Sequence, residues 1–170
     1  MRILISLLLL QTLAFAQTDI VVNGKTIALS ATATAQAEPH LITSGQPSAN
    51  DLTALAAAGV GVLIDLRGTQ EDRGFDEVQA AQQLGLHYIG MPINGAADIT
   101  FDNAQKLHQL LQQQGDKTVL LHCHSSNRVG ALLALRAKQL GQSNEQALAV
   151  GKAAGLKSLE AAVLTQMGTK

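Results

Sequence analysis

Apolar and polar positions along the chain follow two periods, and the switch between them marks the elements. Val21-Val22-Asn23-Gly24-Lys25-Thr26-Ile27 sets an Asn-Gly pair between β-branched residues, which predicts a small hairpin. Residues 28–37 are rich in Ala and Thr without a period, and are expected to form a loose connector. Residues 40–43 read as a short strand, and Ser44-Gly45-Gln46-Pro47 as a turn. Ser48 with Asp51 three residues on is a capping pair for a helix whose inner face is Leu52, Leu55 and Ala56, and Gly59 ends it. Residues 60–64 are almost wholly apolar, as in a central parallel strand covered on both faces.

A polar loop over 65–74 leads into a helix over 75–84, stopped by Gly85. A strand over 86–89 follows, ended by Met91-Pro92. Residues 101–114 carry Ala104, Leu107, Leu110 and Leu111 at helical spacing. Residues 119–121 are a short apolar strand, and 128–140 a helix with Val129, Leu132, Leu133 and Leu140 available for burial. Two more helices, 142–150 and 158–167, are separated by Gly151 and Gly155. Strand and helix alternating in this way predict an α/β fold, a three-layer sandwich around a central, mostly parallel sheet.

The first residues stand outside that pattern. Arg2, the apolar run 3–10 and the small residues of Leu13-Ala14-Phe15-Ala16 predict a secretory signal cut after Ala16. The run is short for a membrane span, and no later stretch is long enough, so no stable span is expected after processing. The expected organisation is a signal peptide over 1–16, an N-terminal hairpin and linker over 17–38, and one domain over 39–170. Export to a bacterial periplasm is the expected localisation. With 12 Lys plus Arg against 13 Asp plus Glu, the chain offers no basic field for nucleic acid. One Tyr, three Phe and no Trp leave the core to Leu, Val, Ile and Ala.

Candidate chemistry is concentrated in His122-Cys123-His124-Ser125-Ser126-Asn127-Arg128-Val129-Gly130, which holds the one cysteine. A lone cysteine in an exported chain is an inert core thiol, an intermolecular partner or a nucleophile. Here it falls where a central strand gives way to a helix, the place where open α/β sheets bind ligands. Main-chain N–H groups and the positive helix end there make a cradle for an anion and favour an ionised thiol. Arg128 adds a planar fork of donors for two anion oxygens. Ser125, Ser126 and Asn127 supply polar side chains to hold the loop, and His124 lies within it, facing solvent or substrate. His122, Cys123 and His124 lack the further ligands of a metal site, so neither a metal nor a cofactor is expected.

These residues resemble the dual-specificity and tyrosine phosphatase superfamily, in particular small bacterial phosphatase-like proteins. The resemblance covers residues 39–140. It rests on Thr43-Ser44-Gly45-Gln46-Pro47, on Val62-Leu63-Ile64-Asp65-Leu66-Arg67 with Glu71, and on His122-Cys123 through Arg128. It implies a cysteine-dependent hydrolase of phosphate monoesters, acting on a phosphorylated small molecule or protein. It further implies that Cys123 takes the phosphoryl group, that Arg128 binds its oxygens, and that His122 sits behind the loop and tunes the thiolate.

The chain departs from that pattern in three ways. Four residues, His124 to Asn127, separate Cys from Arg where the phosphatases have five, a spacing similar to that of the rhodanese sulfurtransferases. Ser126 stands where both groups commonly have Gly, which argues against a left-handed turn. Val129 replaces the hydroxyl residue that helps the thiolate leave. The family's acidic residue after strand 86–89 corresponds to Asn94 here, which leaves Asp98 as the expected proton donor, with helix initiation as its other role. Arg67 and Glu71 should share the rim of the cysteine loop and either brace it or face substrate. The readings open at this point are phosphate hydrolysis, sulfur transfer through a Cys123 persulfide, and a non-catalytic anion- or protein-binding module.

Overall fold

The computed structural model describes residues 18–168, so the expected signal peptide lies outside the described residues. Five strands form the main sheet in the order β3-β4-β7-β5-β6. They are β3 (Ala35–Glu38), β4 (Leu41–Ser44), β5 (Val60–Asp65), β6 (His87–Gly90) and β7 (Thr118–His122). All neighbours pair in parallel except β3 with β4. The hairpin forms as expected from β1 (Thr18–Val22) and β2 (Lys25–Leu29), with Asn23 and Gly24 at φ 49° and 78° in its tip.

The apolar runs of β5 and β7 follow from their place in the middle of the sheet. Successive side chains point to opposite faces, and both faces are covered. Val62, Ile64, Val119 and Leu121 pack with α3 (Phe101–Gln113) and α4 (Asn127–Gln139). Leu63 and Leu120 face the other way, into a core shared with α1 (Ala49–Ala57) and the hairpin's Ile20, Val22 and Leu29. The hairpin also seals the end of α1, because Asn23 Nδ2 donates to Ala58 O at 2.9 Å and Lys25 Nζ to Ala57 O at 2.8 Å.

Several boundaries differ from the sequence reading. The expected connector over 28–37 contains the end of β2 and the first three residues of β3. β3 is an edge strand with three of its four residues exposed, so it carries no apolar period. The helix expected from residue 75 is α2 (Glu77–Gln83), begun by the Asp76 side chain accepting from Gln79 N. Helix α5 (Asn144–Ala153) outlasts the predicted 150, and α6 (Glu160–Gln166) is shorter than predicted. Leu140, expected inside, is 56% exposed just beyond the end of α4.

Helix α4 is the most enclosed helix, with eight of its residues buried from Val129 to Ala137. It approaches α5 closely at Gly130, where an added Cβ would lie 2.3 Å from Leu156 N and 2.5 Å from Gly151 O. These contacts are with backbone, so the glycine is what lets the helix sit this deep. The packing fixes the direction in which the N-terminus of α4, and with it Arg128, meets the end of β7.

Candidate active site

β7 ends at His122, and the next three residues turn the chain into α4. Cys123 is 1% exposed and lies at the base of this turn. The segment Thr43 to Pro47 supports the turn from one side. Cys123 N donates to Ser44 O at 3.4 Å, Gln46 N donates to His124 O at 3.0 Å, and Gly45 bridges Ser125. An added Cβ on Gly45 would fall 3.0 Å from His124 O, so the approach depends on glycine there.

Ser126 adopts the left-handed conformation that its identity argued against, with φ 64°. A non-glycine residue in that region costs about 1–2 kcal/mol. The Ser126 hydroxyl offsets part of this by donating to Ala154 O at 2.8 Å inside the fold. The side chain is fully buried, so only the main chain of Ser126 is available to a ligand. Asn127 is likewise engaged away from the loop. Its Oδ1 accepts from Lys157 N at 2.7 Å and Leu159 N at 3.4 Å, and its Nδ2 donates to Ser158 Oγ at 2.8 Å. No side chain caps the N-terminus of α4. Its first N–H groups therefore remain directed at the turn, as an anion site requires.

Arg128 is held in a fixed orientation. Nη1 and Nη2 donate to the two Glu71 oxygens at 2.5 and 2.8 Å, and Nη1 also donates to Ile93 O at 2.8 Å. Glu71 in turn accepts from Gly68 N at 2.7 Å and Arg67 Nε at 3.1 Å. The Arg128 pairing holds the Glu71 carboxyl well below the usual carboxylate range. Arg128 is pushed up, first by Glu71, with the Cys123 thiol contributing. Arg67 is buried and braces the rim, donating to Gln46 Oε1 at 2.5 Å and to Asp72 O at 2.7 Å.

The turn opens onto a cleft of about 600 Å³, walled by Glu71, Asn94, His124, Ser125 and Arg128. Asp98 stands behind Asn94. Its Oδ2 accepts from Asn94 N at 2.7 Å and Asn94 Nδ2 at 3.2 Å, so its carboxylate closes the loop.

Behind the cysteine lies a cluster that the sequence reading missed. His122 is fully buried, with Nε2 3.5 Å from Glu77 Oε1 and 3.7 Å from Asp65 Oδ1. Burial pushes His122 down to about 4, against the pull of Asp65. Burial, and then the Asp65 charge, push Glu77 up to about 7. Among the described residues, these three could meet around a metal ion. The Arg73 guanidinium, 2.6 Å from Asp65 Oδ2 and 3.4 Å from Glu77 Oε2, already supplies the positive charge. An Asp at the carboxyl end of an apolar central strand was the one signal for this cluster. Glu77 gave none.

The sequence matches the family described as DSP-PTPase phosphatase fused to NAD+ kinase over residues 12–166. The chain belongs to this family of cysteine-dependent phosphatases. No curated protein matches it. Among solved structures, a candidate phosphatase of Neisseria meningitidis superposes with a TM-score of 0.67 at 23% identity, covering 82% of this chain and 99% of its own. Tk-PTP in its active form gives 0.63 at 14% identity, with coverage of 80% and 97%. A Cys-to-Ser form of P. aeruginosa TpbA in complex with pTyr gives 0.54 at 18%, with coverage of 79% and 90%. These likenesses establish the phosphatase fold, with its mostly parallel sheet flanked by helices.

Proposed function

We propose that the chain hydrolyses phosphate monoesters through a cysteinyl-phosphate on Cys123. The observation that carries this is the Arg128 guanidinium, fixed by Glu71 at the mouth of the turn whose base holds the Cys123 thiol. In the first step the Cys123 sulfur attacks phosphorus, an S–P bond forms and the bond to the ester oxygen breaks. Arg128 and the uncapped N–H groups of α4 hold the equatorial oxygens as charge builds on them. Water then cleaves the S–P bond and restores the thiol. The four-residue loop favours sulfur transfer, whereas the family and the His122-Cys123 pair favour phosphate.

The departing oxygen needs a proton unless it is already a good leaving group. Of the residues walling the cleft, Glu71, Arg128 and His124 carry ionisable side chains. Glu71 is locked as an anion by Arg128, and a guanidinium does not release its proton. His124 remains, an exposed imidazole next to the nucleophile. Asp98, the acid expected from the sequence, is committed to Asn94, which supports a structural role for it. His124→Asn should therefore reduce kcat about 10²-fold on alkyl phosphates and far less on an activated aryl phosphate. Asp98→Asn should lower both equally. Steady-state rates across a leaving-group series check this, and a leaving-group-dependent loss in Asp98→Asn with none in His124→Asn would reverse the assignment.

We infer further that the protein is exported, on the strength of Arg2, the apolar run 3–10 and Ala14-Phe15-Ala16. Intact-mass analysis of the periplasmic fraction should find Gln17 as the first residue. A membrane-bound species retaining Met1 would contradict it.

A further inference from the structure

The cluster beneath Cys123 has a charge balance that its hydrogen bonds leave incomplete. Asp65 is a satisfied anion. Its Oδ1 accepts from Arg67 N at 2.7 Å, and its Oδ2 from Arg73 Nε, Arg73 Nη2 and Tyr88 OH at 2.8, 2.6 and 2.8 Å. Arg73 balances that one charge. Arg67 commits its guanidinium to Glu71, Gln46 and Asp72 O, and its charge opposes a cation on His122.

Glu77 and His122 remain. Glu77 Oε1 accepts from Gln46 Nε2 at 2.7 Å, but Oε2 and both His122 ring nitrogens have no hydrogen-bond partner. Both side chains are sealed from solvent. With no proton between them, the buried carboxylates of Asp65 and Glu77 share the single Arg73 charge. With two, the site carries an uncompensated cation. One proton makes the cluster neutral, whichever of the two residues carries it.

We propose that Glu77 and His122 share a single buried proton, and that Glu77 acts as a positioning residue by passing it to His122 when Cys123 becomes charged. The second half rests on the reading of Cys123 as the nucleophile. In the transfer the Glu77 O–H bond breaks, the His122 Nε2–H bond forms, and the negative charge passes to Glu77. At 3.5 Å the pair is beyond normal hydrogen-bond distance, so transfer needs the ring and carboxyl to close by roughly half an ångström. The resting proton belongs on Glu77, because burial raises Glu77 to about 7 and lowers His122 to about 4. A thiolate at the adjacent Cys123 favours an imidazolium on His122, and the transfer requires its field to outweigh the resting preference. Arg67, Arg73, Tyr88 and Asp65 complete the charged and titratable groups facing the pair.

The two residues have opposite linkage to folding. Glu77 rises from its ordinary 4.5 to about 7, so its contribution to stability is full below 4.5 and declines as pH rises towards 7. His122 falls from 6.5 to about 4, so its contribution is full above 6.5 and declines as pH falls towards 4. Between pH 4.5 and 6.5 the two slopes cancel in the wild type.

Melting temperatures of wild type, Glu77→Gln and His122→Gln across that window test the proposal. The difference between Glu77→Gln and wild type should rise with pH, and that between His122→Gln and wild type should fall. Losses independent of pH in both variants mean packing alone, and overturn the proposal. If a variant fails to fold, the wild type still decides. At pH 6 its infrared spectrum should show a protonated carboxylic acid, and nitrogen-15 NMR a neutral His122 ring. An imidazolium without that band overturns it. Iodoacetamide alkylation of Cys123 at neutral pH should slow about ten-fold in Glu77→Gln, the size of one charge-assisted hydrogen bond. An unchanged rate removes the link to Cys123. None of these readouts involves phosphate turnover, so a failure of the phosphatase reading would leave them unchanged and show itself in hydrolysis assays.

Discussion

Cys123→Ser should lower phosphate ester hydrolysis by about four orders of magnitude or more, to the background of the assay, while the protein stays folded. A hydroxyl is a far weaker nucleophile than a thiolate, and it must give up its proton to a base as it attacks. Of the two imidazoles flanking Cys123, His122 is buried and faces Glu77 and Asp65, and His124 is the one assigned to the leaving oxygen. A loss of that size corresponds to about 5.5 kcal/mol of barrier. The fold should persist because serine is close to cysteine in volume. The loop is also held by main-chain bonds independent of the sulfur, from Gln46 N to His124 O and from Leu66 N to His122 O. The anion site should persist with it, since Arg128 and the first N–H groups of α4 are untouched. Phosphate should therefore still raise the melting temperature of the variant. Hydrolysis undiminished in Cys123→Ser would remove the cysteine from the reaction.

Arg128→Lys should lower kcat/KM by about 10²- to 10³-fold, although the charge is retained. Arginine divides its donors here. One nitrogen bonds Glu71 and Ile93 O, the other bonds the second Glu71 oxygen, and the guanidinium also interacts with the Cys123 thiol. A lysine has one nitrogen for all of these. It also leaves Glu71 with a single partner beyond Gly68 and Arg67, so the carboxylate is freer to repel an incoming phosphate. Because the lost bonds matter most as charge develops, kcat should fall more than KM rises. A uniform rise in KM with kcat unchanged would reduce Arg128 to a binding group. The pairing with Glu71 also predicts weak salt sensitivity, since the two-pronged contact is partly buried.

The elements legible in the sequence were those whose signal is local. The apolar runs of β5 and β7, the Ser48–Asp51 cap and the Asn23-Gly24 turn each act within a few residues. β3 was illegible because an exposed edge strand needs no apolar face. Leu140 was misassigned because α4 ends one residue earlier, and a helical period alone does not mark that end. The site divides in the same way. His122, Cys123 and Arg128 are adjacent in sequence, and their loop position could be read. Glu71 could be placed on the rim from its position after β5, but its pairing with Arg128 across 57 residues, and that of Gln46 with Glu77 across 31, follows no local pattern. The Ser126 turn was misjudged for a related reason: its stabilising acceptor, Ala154 O, lies 28 residues away.

In the proposed reaction a phosphoryl group passes through the Cys123 sulfur. Rapid acid quench during turnover of an aryl phosphate, followed by mass spectrometry of the peptide containing Cys123, tests it most directly. A phosphoryl adduct should appear on that sulfur, form before product release and be lost on standing, and be absent in Cys123→Ser. Turnover without the adduct would contradict it, as would a persulfide on Cys123 after thiosulfate in a protein that hydrolyses no phosphate ester.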